Sequence, residues 1–395
     1  MRKITVLSLS LLCSAAIAKP STFNKNPWPM YQGNSEHTGF VNMVVFPKFF
    51  SLRWKYKLLH DPSGEDKFKI NFPIAANNTL YVSTDSSYDD HYLFAIKQKD
   101  GSTLWKKSYK NYSSINGPSY DNGKIFIQTV DDDENAVVYT YDAHNGDLLF
   151  TSPFSAQWDN YLPATEFNNA VYIAGGTYGG AYSYDEATGK LLWHVSLPQY
   201  DLWTPTVDSK YVLAYVGLDD SNSNDAEAAL IALDRTSGKE LFSIPDPNYQ
   251  WTGYSMGFSP VLDKKLQLAF VAESGYLTTF DLQAKNIRYS IGGGYSGQVV
   301  LNNNTIYADR NGTLQAVNET TGDPLWAWQP SGDTLTDHMI VTRNVLFVAG
   351  ENNTYAINLL THHLVWSYPV GGQLAISNNT LYIISDDSTV NAIKI

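Results

Sequence analysis

Cysteine is almost absent from this sequence of 395 residues, where Cys13 is the only one. It lies near the N-terminus, after a basic start at Arg2 and Lys3 and within the apolar stretch that follows. This stretch is too short to span a bilayer, and small residues follow it at 16–18, as in a cleaved export signal. Cleavage after Ala18 leaves a chain without cysteine, which excludes a disulfide framework. We therefore predict a signal peptide over residues 1–18 and a periplasmic or secreted protein.

Positive charge is also scarce, with 27 Lys and Arg against 39 Asp and Glu and a net charge of −12. Such a surface repels phosphate backbones and anionic lipid headgroups, so nucleic acids and membrane surfaces are poor candidates as partners. No apolar run beyond the signal approaches the length of a transmembrane helix. We expect a monomer that binds other proteins.

Aromatic residues, in contrast, are abundant at 14%, as expected of many short strands. Seven of them follow a turn with unchanged spacing: an Asp, Asn or Lys, then most often Gly four residues later, then a large aromatic after four more. The turns run 97–101, 142–146, 185–189, 234–238, 281–285, 318–322 and 358–362, and the aromatics are Trp105, Phe150, Trp193, Phe242, Tyr289, Trp326 and Trp366. Asp or Asn can accept hydrogen bonds from the backbone of such a turn, and Gly supplies its positive φ. The chain is therefore built from a repeated unit.

Short alternating strands flank each turn on both sides, and two more strands precede them, which gives four strands per unit. Four strands and a period of about 35 to 57 residues are typical of a propeller blade. The eighth unit ends at Ile395 without an outermost strand, and the strand 52–56 around Trp54 can supply it. The prediction is an all-β fold: an eight-bladed β-propeller of four-stranded antiparallel blades over 51–395, closed by the N-terminal strand, with a leader segment at 19–50.

The turn and the aromatic strand resemble the pyrroloquinoline-quinone-like (PQQ-like) repeat family, and the segment 28–39 is similar to the leader of such propellers. One branch, the quinoprotein dehydrogenases, holds the quinone and Ca²⁺ on the propeller axis. The other, BamB-like branch is the non-catalytic scaffold of the outer-membrane barrel-assembly machine. The chain is more similar to the second branch, because it is short and the mature part has no cysteine. It departs from that branch at Cys13, since the preceding Leu12 makes a poor lipidation site.

In a four-stranded blade, the loop between the second and third strands lies on the same face as the connection to the next blade. This topology predicts one face that is acidic at its rim and aromatic toward its mouth. The candidate partner-binding residues are Trp158, Tyr161, Tyr200, Asp201, Trp203, Tyr249, Trp251, Tyr254, Asp131, Asp132, Asp133 and Glu134. Rigid aromatic anchors suit protein or sugar partners. The alternative is that the tryptophans plug the axial channel and pack against neighbouring blades. The repeat aromatics are expected to pack between blades.

No catalytic set and no metal site are predicted. Asp131–Glu134 could chelate Ca²⁺, but four consecutive acids more often form a solvated hairpin tip, and neither His338 nor the pair His362–His363 has a partner at zinc-ligand spacing. The leading interpretation is a protein-binding scaffold without a cofactor, which the resemblance places in outer-membrane protein assembly. Two alternatives stay open: a short quinoprotein dehydrogenase with PQQ and Ca²⁺ in the axial funnel, stacked on an aromatic such as Trp203 or Trp251, and a glycan-binding propeller.

Overall fold

The structure, a computed structural model, describes residues 26–59, 69–85, 91–110, 112–130, 135–155, 163–175, 179–197, 203–218, 227–250 and 259–395. Apart from two short 3₁₀ turns at Tyr31–Gly33 and Pro47–Phe49, the regular structure in these ranges is all β. Within them, no helix has the length and apolar character needed to cross a membrane. The all-β prediction is confirmed.

The strands form eight blades of four antiparallel strands, numbered here along the chain from blade 1 and given from inner to outer strand. Blade 1 consists of Ile74–Ala76, Thr79–Asp85, His91–Lys97 and Thr103–Tyr109, and blade 2 of Ser119–Asp121, Lys124–Val130, Asn135–Asp142 and Leu148–Ser155. Blade 3 consists of Thr165–Phe167, Ala170–Ala174, Ala181–Asp185 and Leu191–Val195, and blade 4 of Thr206–Val207, Tyr211–Leu218, Glu227–Asp234 and Glu240–Asp246. Blades 5 and 6 share one long strand, Asn286–Asn302, whose halves are the outer strand of blade 5 and the inner strand of blade 6. The other strands of blade 5 are Val261–Asp263, Leu268–Glu273 and Gly275–Asp281, and those of blade 6 are Thr305–Arg310, Thr313–Asn318 and Pro324–Trp328.

Blade 7 is Leu335–Thr342, Val345–Gly350, Thr354–Asn358, Leu364–Tyr368, and blade 8 is Gln373–Ser377, Thr380–Ile384, Thr389–Lys394, Ser51–Lys57. Three two-residue strands join these sheets: Lys69–Ile70 in blade 1, Ser114–Ile115 in blade 2, and Phe40–Val41, which runs parallel to the inner strand of blade 7.

The turns between the third and outer strands have the predicted geometry. In blade 2, Asp142 Oδ1 accepts hydrogen bonds from the backbone N–H of His144 (2.8 Å) and Asn145 (3.1 Å), and Gly146 has a φ of 75°. The first and second strands of four blades are joined by Asn-Asn pairs in which both residues have positive φ, at 77–78, 168–169, 303–304 and 378–379. Such two-residue turns match the twist of a hairpin.

The repeat aromatics pack between blades, as predicted. Except for Trp366, whose ring meets Phe50, each lies against the turn of the following blade. A Cβ added to Gly146, for example, would stand 2.8 Å from Trp105 Cδ2. The Trp105 indole N–H also donates to Ala143 O in that turn (3.2 Å), and Trp193 repeats the contact on Arg235 O (3.0 Å). One aromatic ring and one turn therefore form a repeated interface around the propeller.

Blade 8 is completed by the N-terminal strand, which confirms the predicted pairing. Trp54 lies opposite Ala392 in the ladder between Ser51–Lys57 and Thr389–Lys394. Its indole N–H donates to Gln98 O of blade 1 (3.0 Å), so the last blade makes the same contact with the first blade as the other blades make with their neighbours.

The leader residues 28–45 cross one end of the propeller and bond to one inner strand after another. Backbone carbonyls of the leader accept hydrogen bonds from the N–H groups of Ala75, Tyr120, Val207, Leu262, Leu301 and Val341, which belong to blades 1, 2, 4, 5, 6 and 7. His37 is fully buried, with Nδ1 2.7 Å from Ser259 Oγ and Nε2 3.1 Å from Thr165 Oγ1 of blade 3. The leader is thus an integral part of the fold that covers this end of the axis.

Candidate functional site: the loop face

The propeller has two different faces. The leader covers the face that carries the turns between first and second strands, which we call the leader face. The opposite face, here the loop face, carries the loops between second and third strands and the connections between blades. The antiparallel order of each blade places these two sets of loops together, as the sequence predicts.

Ten of the twelve predicted binding residues lie outside the described residues: Trp158, Tyr161, Tyr200, Asp201, Trp251, Tyr254, Asp131, Asp132, Asp133 and Glu134. The described strands on either side end at the loop face, for example Val130 and Asn135, which flank the acidic run 131–134. The acidic and aromatic binding face stays a prediction.

The two described candidates, Trp203 and Tyr249, are buried. Trp203 has no exposed surface and packs in the core between blades 3 and 4 with Tyr172, Trp193 and Val212. Tyr249 is 8% exposed and lies edge-on to Tyr215, with ring centroids 6.4 Å apart. Neither ring offers a face to a partner or to a ligand, so in this structure both serve packing.

A groove of about 530 Å³ opens on the loop face between blades 7 and 8. Its walls are polar and of mixed charge, because Lys55 lines it together with Glu351, Asp386 and Asp387. The groove is lined by Lys55, Thr336, His338, Gly350, Glu351, Asn352, Pro369, Val370, Gly371, Gly372, Gln373, Ser385, Asp386, Asp387, Thr389 and Asn391. It therefore offers donors and acceptors to a polar partner.

The walls of the groove are held rigidly. The Asp333 carboxylate accepts hydrogen bonds from the backbone N–H of Asn352 and Asn353 (both 3.1 Å) and from Tyr355 OH (2.8 Å). Burial alone would raise the pKa of Asp333, but these bonds outweigh it and hold the pKa below its usual value. On the other wall, a Cβ on Gly371 would stand 1.9 Å from Gly350 O, so only glycine lets the connection approach the strand.

The floor of the groove reaches the propeller axis at His338. Gln373 Nε2 lies 2.9 Å from His338 Nε2 and, as an amide, donates to it, so the ring proton of a neutral His338 resides on Nδ1. Burial lowers the pKa of His338 to about 4, which keeps the imidazole neutral.

Aromatic rings fill the axis beneath His338. His338, Phe72, Tyr31 and His37 form a series of edge-to-face contacts, with successive centroids 6.0, 4.7 and 5.1 Å apart. The remaining cavity, between Trp28 and Leu374, is about 10 Å³, close to the space of one water molecule.

The sequence did not indicate the groove. It did allow an axial channel plugged by tryptophans, but the rings described there are His338, Phe72, Tyr31 and His37. The groove is built from Gly-Gly and Asn-Asn segments, which indicate turns and carry no chemistry of their own. His37 stands in the leader motif that the sequence singles out, but its partners Ser259 and Thr165 are distant in sequence. Only a pattern of buried polar residues across several blades would have revealed this contact.

The comparisons with known proteins agree with the fold. A family model described as "Outer membrane protein assembly factor BamB" matches residues 51–162, 134–287 and 279–394. None of the curated proteins matches the sequence.

Three solved structures are similar to this chain. BamB from Moraxella catarrhalis is 16% identical, with a TM-score of 0.64 over 88% of this chain and 100% of that chain. The C-terminal WD40 domain of Sif2 is 10% identical, with a TM-score of 0.61 over 87% and 99%. Quinohemoprotein alcohol dehydrogenase from Comamonas testosteroni is 13% identical, with a TM-score of 0.51 over 93% and 80%. At these identities the likeness shows the fold alone.

Proposed function

The chain belongs to the family of the outer membrane protein assembly factor BamB, and we propose that it is an exported, periplasmic scaffold that binds partner proteins in outer-membrane protein assembly. The observation that carries the proposal is the family match, which extends over the whole propeller from 51 to 394. The export signal expected at residues 1–18 agrees with this location.

The loop face supports the proposal. Its groove between blades 7 and 8 is open, polar and held by rigid walls, so a partner would bind a preformed surface and lose little entropy in ordering it. The leader face is the less suitable of the two, because the leader covers the inner strands there.

A quinone does not fit the axis beneath His338. Ligand pockets typically hold about 300–1,000 Å³, whereas the cavity at this position is about 10 Å³. Trp203, one of the two aromatics considered for stacking on a quinone, has no exposed surface, and Trp251 lies outside the described residues. The described residues also contain no group of three or more His, Cys, Asp and Glu arranged around one point. The described residues beneath His338 therefore form no site for a quinone.

Capture of partners from envelope extracts tests the proposal. The exposed acids Glu351 and Asp386 line the groove, so the double variant E351R/D386R should lose partners that the mature wild-type chain retains. The control E240R/D323R makes the same change of charge at exposed positions on blades 4 and 6. Equal capture by both variants would exclude the groove. Retention of no envelope protein by the wild-type chain would count against the scaffold function itself.

A further inference from the structure

Positive charge is concentrated on the outer strands of two adjacent blades, 8 and 1. Five cations lie on these strands: Arg53, Lys55, Lys57, Lys106 and Lys107. The six outer strands of blades 2 to 7 together carry one, Arg288, which forms a salt bridge with Asp281 at 3.3 Å. In a chain with a net charge of −12, this asymmetry marks a distinct surface.

The two strands form one continuous surface. Tyr56 OH of blade 8 lies 3.2 Å from Thr103 Oγ1 of blade 1, and the Trp54 indole N–H donates to Gln98 O in the next turn. That turn adds Lys97 and Lys99, and Lys110 follows the outer strand of blade 1. We call this surface, formed by Ser51–Lys57, Thr103–Tyr109, Lys97, Lys99 and Lys110, the basic rim.

Most of the cations on the basic rim form no salt bridge with a described residue. Lys57 reaches Asp387 at 3.8 Å, but both side chains are about half exposed, so water and salt screen the pair. No salt bridge to another described residue is formed by Arg53, Lys55, Lys97, Lys99 and Lys110. The side chains of these five residues are exposed, so a partner can reach them from solvent.

Protection of exposed strand edges does not explain the charge. Lysine on an edge strand prevents unwanted pairing, and the outer strand of every blade is such an edge. Yet the outer strands of blades 2 and 3 carry no Lys or Arg and expose Leu148 and Leu192, each at 53%. The outer strands of blades 2 and 3 thus have no cations, whereas those of blades 8 and 1 carry five.

The spacing on blade 8 suits an extended chain. Trp54 and Tyr56 point toward blade 1, so Lys55 and Lys57, both exposed, alternate to the opposite side of the strand. Arg53, also exposed, is the extra residue of a β-bulge between Leu52 and Trp54. Lys55 also lines the groove of the loop face. A second strand laid along this edge would bring alternate side chains opposite Lys55 and Lys57, the arrangement in which cross-strand charge pairs stabilise a sheet.

We propose that the basic rim binds an extended acidic segment of a partner protein, laid along Ser51–Lys57 with carboxylates opposite Lys55 and Lys57 and beside Arg53. That the ligand belongs to a protein rests on the proposed function, whereas its acidic and extended character rests on the basic rim itself. An anionic bilayer suits the surface less well, because the chain as a whole is acidic.

Binding of a labelled peptide of alternating Glu and Thr, followed by fluorescence anisotropy, tests the proposal. Each exposed charge pair strengthens binding only slightly, and three of them together change the affinity about tenfold. The variant R53Q/K55Q/K57Q should therefore bind the peptide about tenfold more weakly than the wild type, and added salt should weaken the wild type in the same way. The control K190Q/K239Q/K265Q loses the same charge at exposed positions on blades 3, 4 and 5 and should bind normally.

Two further probes separate the alternatives. A peptide of the same composition with its Glu residues in one block should bind more weakly if the alternation matters. Phosphatidylglycerol vesicles that bind the wild type, while the peptide does not, would overturn the proposal in favour of a lipid surface. Equal peptide binding by the two triple variants would also overturn it. E351R/D386R adds positive charge to the groove that Lys55 also lines, so this variant should lose partner capture without losing peptide binding. That outcome distinguishes failure of the proposed function from failure of the basic rim.

Discussion

The imidazole of His362 stacks on the indole of Trp326, with ring centroids 4.7 Å apart and planes inclined by 13°. His362 stands where five other blades have the turn glycine, and it has the same left-handed backbone, with a φ of 60°. In blade 5 the position is Lys285, whose ammonium lies 5.1 Å from the centre of the Phe242 ring. The aromatic ring therefore meets the turn of the next blade whether or not that turn contains glycine.

The turn glycines have two roles that substitution can separate. Gly146 and Gly123 have similar φ values, 75° and 79°, but a Cβ on Gly146 would meet the Trp105 ring at 2.8 Å and one on Gly123 would meet no described atom within 4 Å. G123A should cost about 1 kcal/mol from backbone strain alone. G146A should cost about 1–3 kcal/mol more because it overpacks the interface.

Urea unfolding of both variants measures this difference in the free energy of unfolding. Equal losses would mean that the interface between blades 1 and 2 accommodates the added methyl group, and that only the backbone conformation requires glycine.

Trp203 is expected to stabilise the fold. Its side chain is fully buried between blades 3 and 4, so W203A should lower the free energy of unfolding by about 3–5 kcal/mol through the cavity it creates. L360A, at a side chain that is 88% exposed, should change it by less than about 0.5 kcal/mol. A fully stable W203A variant that fails to capture partners would restore Trp203 as a contact residue.

His37 should make the protein sensitive to acid. Burial lowers its pKa to about 3, whereas in the unfolded chain the pKa is about 6.5. The unfolded state therefore takes up this proton first as the pH falls below about 6.5, and stability declines by up to about 1.4 kcal/mol per pH unit.

The variant H37Q keeps a polar group beside Ser259 and cannot take up the proton. Its unfolding free energy, measured by urea titration between pH 7 and pH 4, should fall less steeply than that of the wild type. Parallel curves would show that protonation of His37 is not linked to unfolding.

Glu319 should act in the opposite direction, toward alkaline pH. Burial, with the nearby Asp263, raises the pKa of Glu319 to about 8, above the value of about 4.3 in unfolded chains. As the pH rises, the unfolded state loses this proton first. The stability that the protonated Glu319 contributes is therefore complete below about pH 4 and is lost gradually between about pH 4 and pH 8. E319Q should be increasingly more stable than the wild type from pH 5 to pH 8. A constant difference across that range would contradict the link.

Much of the fold was predictable because its main signal is local and repeated. The spacing from Asp142 to Gly146 to Phe150 describes one turn and one strand, and both follow from short-range hydrogen bonds and backbone sterics. Recurrence of that unit predicted the blades, and the missing outer strand predicted the pairing of 51–57 with the C-terminus. The binding residues were less predictable, because the local sequence around an aromatic residue between two strands does not show whether its ring packs in the core or contacts a partner. Trp203 shows this directly.

The sequence by itself determined the blade, the order of its four strands and the aromatic residues that contact the next blade, since each depends on residues close together in the chain. Tertiary structure alone decided the rest. The leader reaches across the axis because it bonds to inner strands contributed by six blades, so that His37 meets Ser259 and Thr165. The groove between blades 7 and 8 and the basic rim of blades 8 and 1 likewise arise where ring closure brings the two ends of the chain together, as in the contact of Trp54 with Gln98. No local pattern encodes such a contact, because its energy depends on surfaces that exist only once the ring has formed.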